Sequence, residues 1–148
     1  MFAKLFPKSF DNDYRGPRLA LWLLAIIAAV KALQSIDSLI WTHRVMTGAD
    51  GIPIDSFAPD AAREVTILFM LLSLYVLVVP LLSALALIRY RTMAPLLYLL
   101  LIVLQLGARV INMLHETEAP APMGFYVNLG ILAVTVLGFV LSLRTRKT

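Results

Sequence analysis

The chain has 148 residues, of which 60% are hydrophobic and only 15% are charged, and its mean hydropathy is +0.85. Soluble domains are nearer half apolar and a quarter charged, so this composition excludes an ordinary soluble fold and also an intrinsically disordered chain. The sequence has no cysteine, which excludes disulfides, thiolate metal sites and thiol redox chemistry. The composition therefore predicts a small integral membrane protein.

Four continuous apolar stretches are long enough to cross a bilayer as helices, which requires roughly 20 residues each. They are rich in Leu, Ala, Ile and Val and lack the period-two alternation of barrel strands. The sequence therefore predicts an all-α integral membrane fold, a four-transmembrane-helix antiparallel bundle. The predicted transmembrane domain covers 18–143, with an outer loop at 42–61 and spans at about 18–41, 62–88, 93–114 and 123–143.

The basic residues are distributed unevenly between the two ends of the predicted bundle. Nine of the thirteen lie in the N-terminal segment up to Arg18, in the turn between spans two and three, and in the tail 144–148. The connections at the other end carry six of the nine acids. Because cytoplasmic connections are enriched in Lys and Arg, both termini are predicted to be cytoplasmic in a multi-pass membrane protein.

The segment 1–17 alternates phenylalanine and leucine with lysine before the first span. One interpretation is an interfacial segment on the cytoplasmic leaflet, with its cations near anionic head groups. The other is a frayed basic terminus that only sets the orientation. The pattern leaves both open, because Pro7 interrupts any helix.

Polar residues within the spans fall into two helical stripes. Span one carries Lys31, Gln34, Ser35 and Ser38 within one arc, with Asp37 to its side. On span three, five polar residues recur at intervals of 7, 4, 3 and 4 on one narrow face: Tyr98, Gln105, Arg109, Asn112 and Glu116. Ionisable groups inside a bilayer cost several kcal/mol, so each one needs a partner, water or a function.

These stripes predict a polar pocket in the outer half of the bundle, walled by spans one and three with help from span four. The candidate ligand-binding residues are Lys31, Gln34, Asp37, Gln105, Arg109, Asn112 and Asn128. At similar depth, Lys31 and Arg109 are two cations and Asp37 is the one acid. This balance suits an anionic or strongly dipolar ligand, such as a lipid head group, a carboxylate or a quinone carbonyl. A structural alternative stays open, in which Lys31 and Arg109 neutralise Asp37 and Glu116 and fix the helix register.

No catalytic residue and no metal ligand is predicted. The sequence contains no nucleophile, metal or phosphate-binding motif, and its two histidines, His43 and His115, both fall at the outer interface rather than inside the bundle. No cofactor is predicted apart from a bound lipid or quinone.

Two further features concern packing. Gly130 and Gly138 are eight residues apart on one face of span four, which predicts a seam where another helix approaches closely. The outer loop contains turn formers and an apolar set of Ile52, Ile54 and Phe57. It either folds over the mouth of the bundle or is an unstructured link.

The segment RLALWLLAIIAAVKAL, with Arg18 at its start and Lys31 near its end, resembles the first span of DoxX-like proteins, small bacterial membrane proteins of four helices. The resemblance covers that helix, the chain length and the number of spans. Ala28 and Ala29 stand where that family usually has a glycine before the lysine. Some family members are described as parts of quinone-linked complexes, so the resemblance implies an accessory subunit and a quinone, and it assigns no catalytic residue.

Three functions are compatible with these features. The first is a non-enzymatic accessory or binding subunit whose outer-half pocket holds a lipid head group, a small anion or a quinone-like ligand. The second is a small oligomeric transporter or channel component, and the third is a membrane enzyme with an unrecognised site. The expected partners are the lipid bilayer and other membrane-protein subunits or a second copy, and nucleic acid is not among them.

Overall fold

The computed structural model describes residues 5–6, 9–115 and 121–144, and all secondary structure in that part of the chain is helical. Four helices are long and apolar enough to cross a membrane: α1 (Arg18–Ile40), α2 (Pro59–Arg89), α3 (Ala94–Leu114) and α4 (Met123–Leu143). At 1.5 Å per residue, even the shortest is about 31 Å long, which matches a hydrocarbon core of about 30 Å. The predicted all-α class with four long apolar helices is confirmed.

Short helical turns lie between the long helices. A one-turn helix (Thr42–Arg44), a π-helical turn (Val45–Ala49) and a 3₁₀ turn (Ile54–Ser56) join α1 to α2, and a 3₁₀ turn (Arg91–Met93) joins α2 to α3. We call the end of the bundle that carries Arg91–Met93 the turn end, and the end that carries 42–57 the loop end. Helix α2 begins at Pro59, three residues before its predicted start, because proline lacks the N–H that is unbonded in a first helical turn anyway.

The four helices pack in a ring. Helix α1 contacts both α2 and α4, whereas α3 contacts α4 and, less extensively, α2. The buried core lies mostly at the turn end and comprises Ala20, Leu24, Ile27, Ala86, Ala94, Leu97, Tyr98 and Leu101.

Tyr98 is the largest fully buried side chain of this core. Its hydroxyl donates a 2.6 Å hydrogen bond to the carbonyl oxygen of Ala20, which joins α3 to α1. Its ring lies directly against Gly138 of α4, where any side chain would overlap it. Tyr14 packs against the same core, and burial raises the pKa of its hydroxyl to about 12. Tyr98 therefore links three of the four long helices.

The segment before α1 is bonded to the turn between α2 and α3. The N–H of Asp11 donates to the hydroxyl oxygen of Thr92 at 2.9 Å, and the N–H of Thr92 donates to the carbonyl oxygen of Asp11 at 3.1 Å. The side-chain amide of Asn12 donates to the carbonyl oxygen of Ile88 at 3.4 Å. These bonds hold the end of the N-terminal segment against the bundle, while residues 1–4 and 7–8 lie outside the described part of the chain.

The loop end is packed more loosely than the turn end. The buried residues of α3 all lie between Ala94 and Leu101, and those of α4 all lie between Thr135 and Ser142. From Val103 onward α3 exposes most of its side chains. The polar residues predicted from sequence therefore lie in the half of the bundle where the helices leave space between them.

Candidate functional site

Lys31 of α1 is hydrogen-bonded to Asn128 of α4. The Lys31 ammonium nitrogen lies 2.6 Å from the side-chain oxygen of Asn128, and the Asn128 amide nitrogen donates to the carbonyl oxygen of Gly124 at 2.9 Å. This second bond turns the amide oxygen of Asn128 towards the lysine. Lys31 is half-buried, and within residues 9–115 and 121–144 no carboxylate forms an ion pair with it. Two of its three N–H donors stay without a protein acceptor in this region.

The structural alternative predicted that Asp37 is neutralised by a cation within the spans, Lys31 or Arg109. The carboxylate of Asp37 bonds to Arg44 instead. Its carboxylate accepts a 2.6 Å bond from the guanidinium of Arg44, which also lies over the ring of Trp41 at 5.5 Å. The side chains are 45% exposed for Asp37 and 67% exposed for Arg44. Asp37 is thus neutralised at the edge of the loop end, and it does not neutralise Lys31.

The predicted stripe of α3 meets a matching stripe of α4. Tyr98 contacts Gly138, and Gln105 donates a 3.2 Å bond to the hydroxyl of Thr135, one step nearer the loop end. The carboxamide oxygen of Gln105 is buried without a hydrogen-bond partner among the described residues. From one contact to the next, the residue numbers rise along α3 and fall along α4. The two helices therefore run antiparallel in a fixed register.

Arg109 continues this seam at the loop end. Its guanidinium carbon lies 4.8 Å from the centre of the Phe125 ring, which is a cation–π contact. In the described part of the chain the five N–H donors of Arg109 form no hydrogen bond, and no carboxylate pairs with the guanidinium. Glu116, which the structural alternative assigned to Arg109, lies outside the described residues.

The two remaining candidates, Gln34 and Asn112, are not joined to these contacts. Gln34 is half-buried and one turn nearer the loop end than Lys31, whereas Asn112 is exposed near the end of α3. Neither side chain hydrogen-bonds to another described residue. The structure therefore brings together only some of the seven predicted ligand-binding residues.

Lys31 and Arg109 come from different helices but contact neighbouring turns of α4. Their partners Asn128 and Phe125 are three residues apart, a spacing that puts side chains next to each other on one helix. Thr135 and Phe125 were not predicted as part of the site. Thr135 could have been found, because it lies seven residues after Asn128 and so on the same helical face, whereas Phe125 gave no polar signal.

An apolar groove of about 260 Å³ lies between α1 and α4. Gly130 lines it, and no atom lies within 4 Å of the position that a Cβ would take there. The predicted glycine seam is thus wrong at Gly130, and of these two glycines only Gly138 is closely packed. The lining residues are Ile26, Ile27 and Val30 of α1 with Val127, Gly130, Ile131 and Val134 of α4.

The loop between α1 and α2 packs onto the first turn of α4. Met46 and Ile54 are buried, and Gly124 approaches Ala49 so closely that a Cβ would lie 2.8 Å from its carbonyl oxygen. Gly51, at φ +68°, has the backbone conformation that this turn requires. The loop therefore packs beside Gly124, whose carbonyl oxygen is bonded to Asn128, the partner of Lys31.

Neither histidine belongs to a group of metal ligands in the described chain. His43 is exposed and lies 2.8 Å from the carboxylate of Asp55, and His115 is exposed at the end of α3. Across residues 5–6, 9–115 and 121–144, no three His, Cys, Asp or Glu side chains come together as a metal site would require.

Comparisons with protein families, with characterised proteins and with solved structures gave no match to this chain. The resemblance of the first helix to DoxX-like proteins gains no support from them.

Proposed function

We propose that this chain is a multi-pass protein of a bacterial inner membrane, with both termini cytoplasmic and the loop end facing outward. It acts as a non-enzymatic accessory or binding subunit that holds an anionic or strongly polar ligand at the loop end. The ligand is a lipid head group, a small anion or a quinone-like molecule. The observation that supports this proposal is the half-buried Lys31 ammonium, whose one partner in the described chain is the neutral amide of Asn128.

The charge balance around α4 favours a ligand over a purely structural role. A lysine in the middle of a membrane helix is costly unless its charge is compensated. Asp37 is already paired with Arg44, so it compensates neither Lys31 nor Arg109. An anion between the two cations would accept hydrogen bonds from donors that have no protein acceptor in the described region, and bonds to charged groups are the strong ones.

The transport function is less well supported than binding. A transport path must continue from Lys31 to the turn end of the bundle. That region is filled by Leu24, Leu97 and Tyr98, and the hydroxyl of Tyr98 is already bonded to Ala20. The packing favours a site that opens at the loop end and is closed below it.

The proposed orientation predicts opposite labelling of two single-cysteine variants, which is feasible because the chain has no cysteine of its own. Ser56→Cys lies in the exposed loop between α1 and α2, and Ser9→Cys lies in the exposed segment before α1. A membrane-impermeant maleimide added to intact spheroplasts should label Ser56→Cys fully and label Ser9→Cys only after permeabilisation. The reverse pattern would place the loop end in the cytoplasm and contradict the proposal.

The binding function predicts that a small molecule co-purifies with the protein and depends on Lys31. After gentle extraction from the native membrane, mass spectrometry should detect a bound anionic or polar lipid-like molecule. Lys31→Gln should reduce its occupancy about tenfold or more, because a hydrogen bond to a charged group contributes about 1.5–3 kcal/mol. Arg44→Gln is the matched control, since it removes a loop-end cation that is already paired, and occupancy should be unchanged. Equal occupancy in wild type and Lys31→Gln, or an empty wild-type protein, would refute the binding function.

A further inference from the structure

The apolar groove between α1 and α4 adds a second part to the site, and this inference rests on the proposed function at Lys31. We propose that the groove holds the hydrocarbon chain of a single-chain lipid carboxylate, a long-chain fatty acid, whose carboxyl group bonds to Lys31. The ligand class of the site is then an amphiphile with one polar end and one slender apolar tail.

The groove and the polar pair lie at the same level of the bundle. The lining residues nearest the loop end are Val30 of α1 and Val127 of α4. Each directly precedes a member of the pair, Lys31 or Asn128, and consecutive Cα atoms are 3.8 Å apart. From there the groove extends towards the turn end along apolar side chains. Polar donors at one end and an apolar trough beyond them match the two parts of an amphiphile.

The size of the groove fits one hydrocarbon chain. An apolar cavity of about 150 Å³ accepts a six-carbon ring, so 260 Å³ accepts on the order of ten carbon atoms. The space exists because Gly130 has no side chain to fill it. The groove is therefore sized for half or more of one long acyl chain.

The depth of Lys31 argues for a carboxylic acid over a bilayer phospholipid. Lys31 is nine residues from Ile40 at the loop end of α1, which is about 14 Å along the helix. This is close to half of a hydrocarbon core of about 30 Å. A phosphodiester keeps its charge and stays at the interface, whereas a carboxylic acid can reach this depth in its neutral form. It would then release its proton to water at the loop end, and the resulting carboxylate would accept hydrogen bonds from the two N–H groups of Lys31 that have no acceptor in the described chain.

The test measures binding of hexadecanoate, hexadecanol and acetate to the full-length protein in phospholipid nanodiscs. Gly130→Leu fills the groove and should weaken hexadecanoate binding about tenfold. Gly107→Leu is the matched control, because Gly107 is also a mid-helix glycine with nothing within 4 Å of a Cβ, but it lies on α3 outside the groove. If Gly130→Leu does not fold, Val134→Phe narrows the groove from its exposed side and should have the same effect.

The outcomes separate this inference from the proposed function. Weakening of hexadecanoate by both Gly130→Leu and Lys31→Gln, with hexadecanol and acetate bound at least tenfold less tightly, supports a lipid carboxylate. Weakening by Lys31→Gln alone overturns the groove as the chain site and leaves the proposed function standing. Binding of hexadecanol as tight as hexadecanoate overturns the carboxylate. Binding that neither variant weakens contradicts both proposals.

Discussion

Gly138→Ala is expected to lower the free energy of unfolding by about 1–3 kcal/mol, the usual range for forcing an extra carbon into a packed core. The added methyl group would overlap the ring of Tyr98. To make room, Tyr98 must move, and its 2.6 Å hydrogen bond to the carbonyl oxygen of Ala20 would be strained or lost. Unfolding of the purified protein by increasing SDS in mixed micelles measures the change.

Gly130→Ala is the matched control for this prediction. It makes the same substitution on the same helix, at a position where a Cβ meets no atom within 4 Å. Because alanine is a better helix residue than glycine by roughly 0.5–1 kcal/mol, this variant should be as stable as wild type or slightly more stable. Equal losses for both variants would show that Gly138 is not the contact that fixes α4 against α3.

The double variant Lys31→Met with Asn128→Leu is expected to be more stable than wild type by about 1–3 kcal/mol while it loses ligand. It replaces a half-buried charge and its neutral partner with apolar side chains of similar size. Changing both residues is necessary, because Lys31→Met alone leaves the oxygen of Asn128 without a partner, which costs about 1–3 kcal/mol. The same SDS titration measures the gain, and mass spectrometry of the purified protein measures the loss of ligand.

This prediction separates a ligand site from a structural bond. If Lys31 and Asn128 serve to fix α1 against α4, the double variant should be less stable than wild type. Arg44→Gln provides the reference, since it breaks an exposed ion pair with Asp37 and should change stability by less than about 1 kcal/mol. A double variant that loses stability would remove the main argument for the binding function, because an uncompensated cation would then be explained by packing.

Much of the candidate site could be predicted from helical periodicity, and part of it could not. The seven-residue and four-residue spacings of Tyr98, Gln105 and Arg109 correctly indicated one face of α3. That this face packs against α4 depends on which helices are neighbours, and periodicity within one helix carries no such information. The pairing of Asp37 with Arg44 was missed for a different reason, because the sequence placed Arg44 in the loop after the first span, whereas Arg44 lies in a helical turn directly after α1, seven residues from Asp37.

The sequence by itself determined the fold class and the four long helices, because apolar length and the cost of an unbonded backbone in a bilayer leave few alternatives. Only the tertiary structure decided which glycine is packed and which is open. Gly130 and Gly138 are equivalent in sequence, but the ring of Tyr98 occupies the space at Gly138 and no side chain reaches Gly130. The tertiary structure also decided that Asp37 pairs with Arg44, and that the partner of Lys31 is the side-chain amide of Asn128. The partner of Lys31 depends on the distance between α1 and α4, which no local pattern specifies.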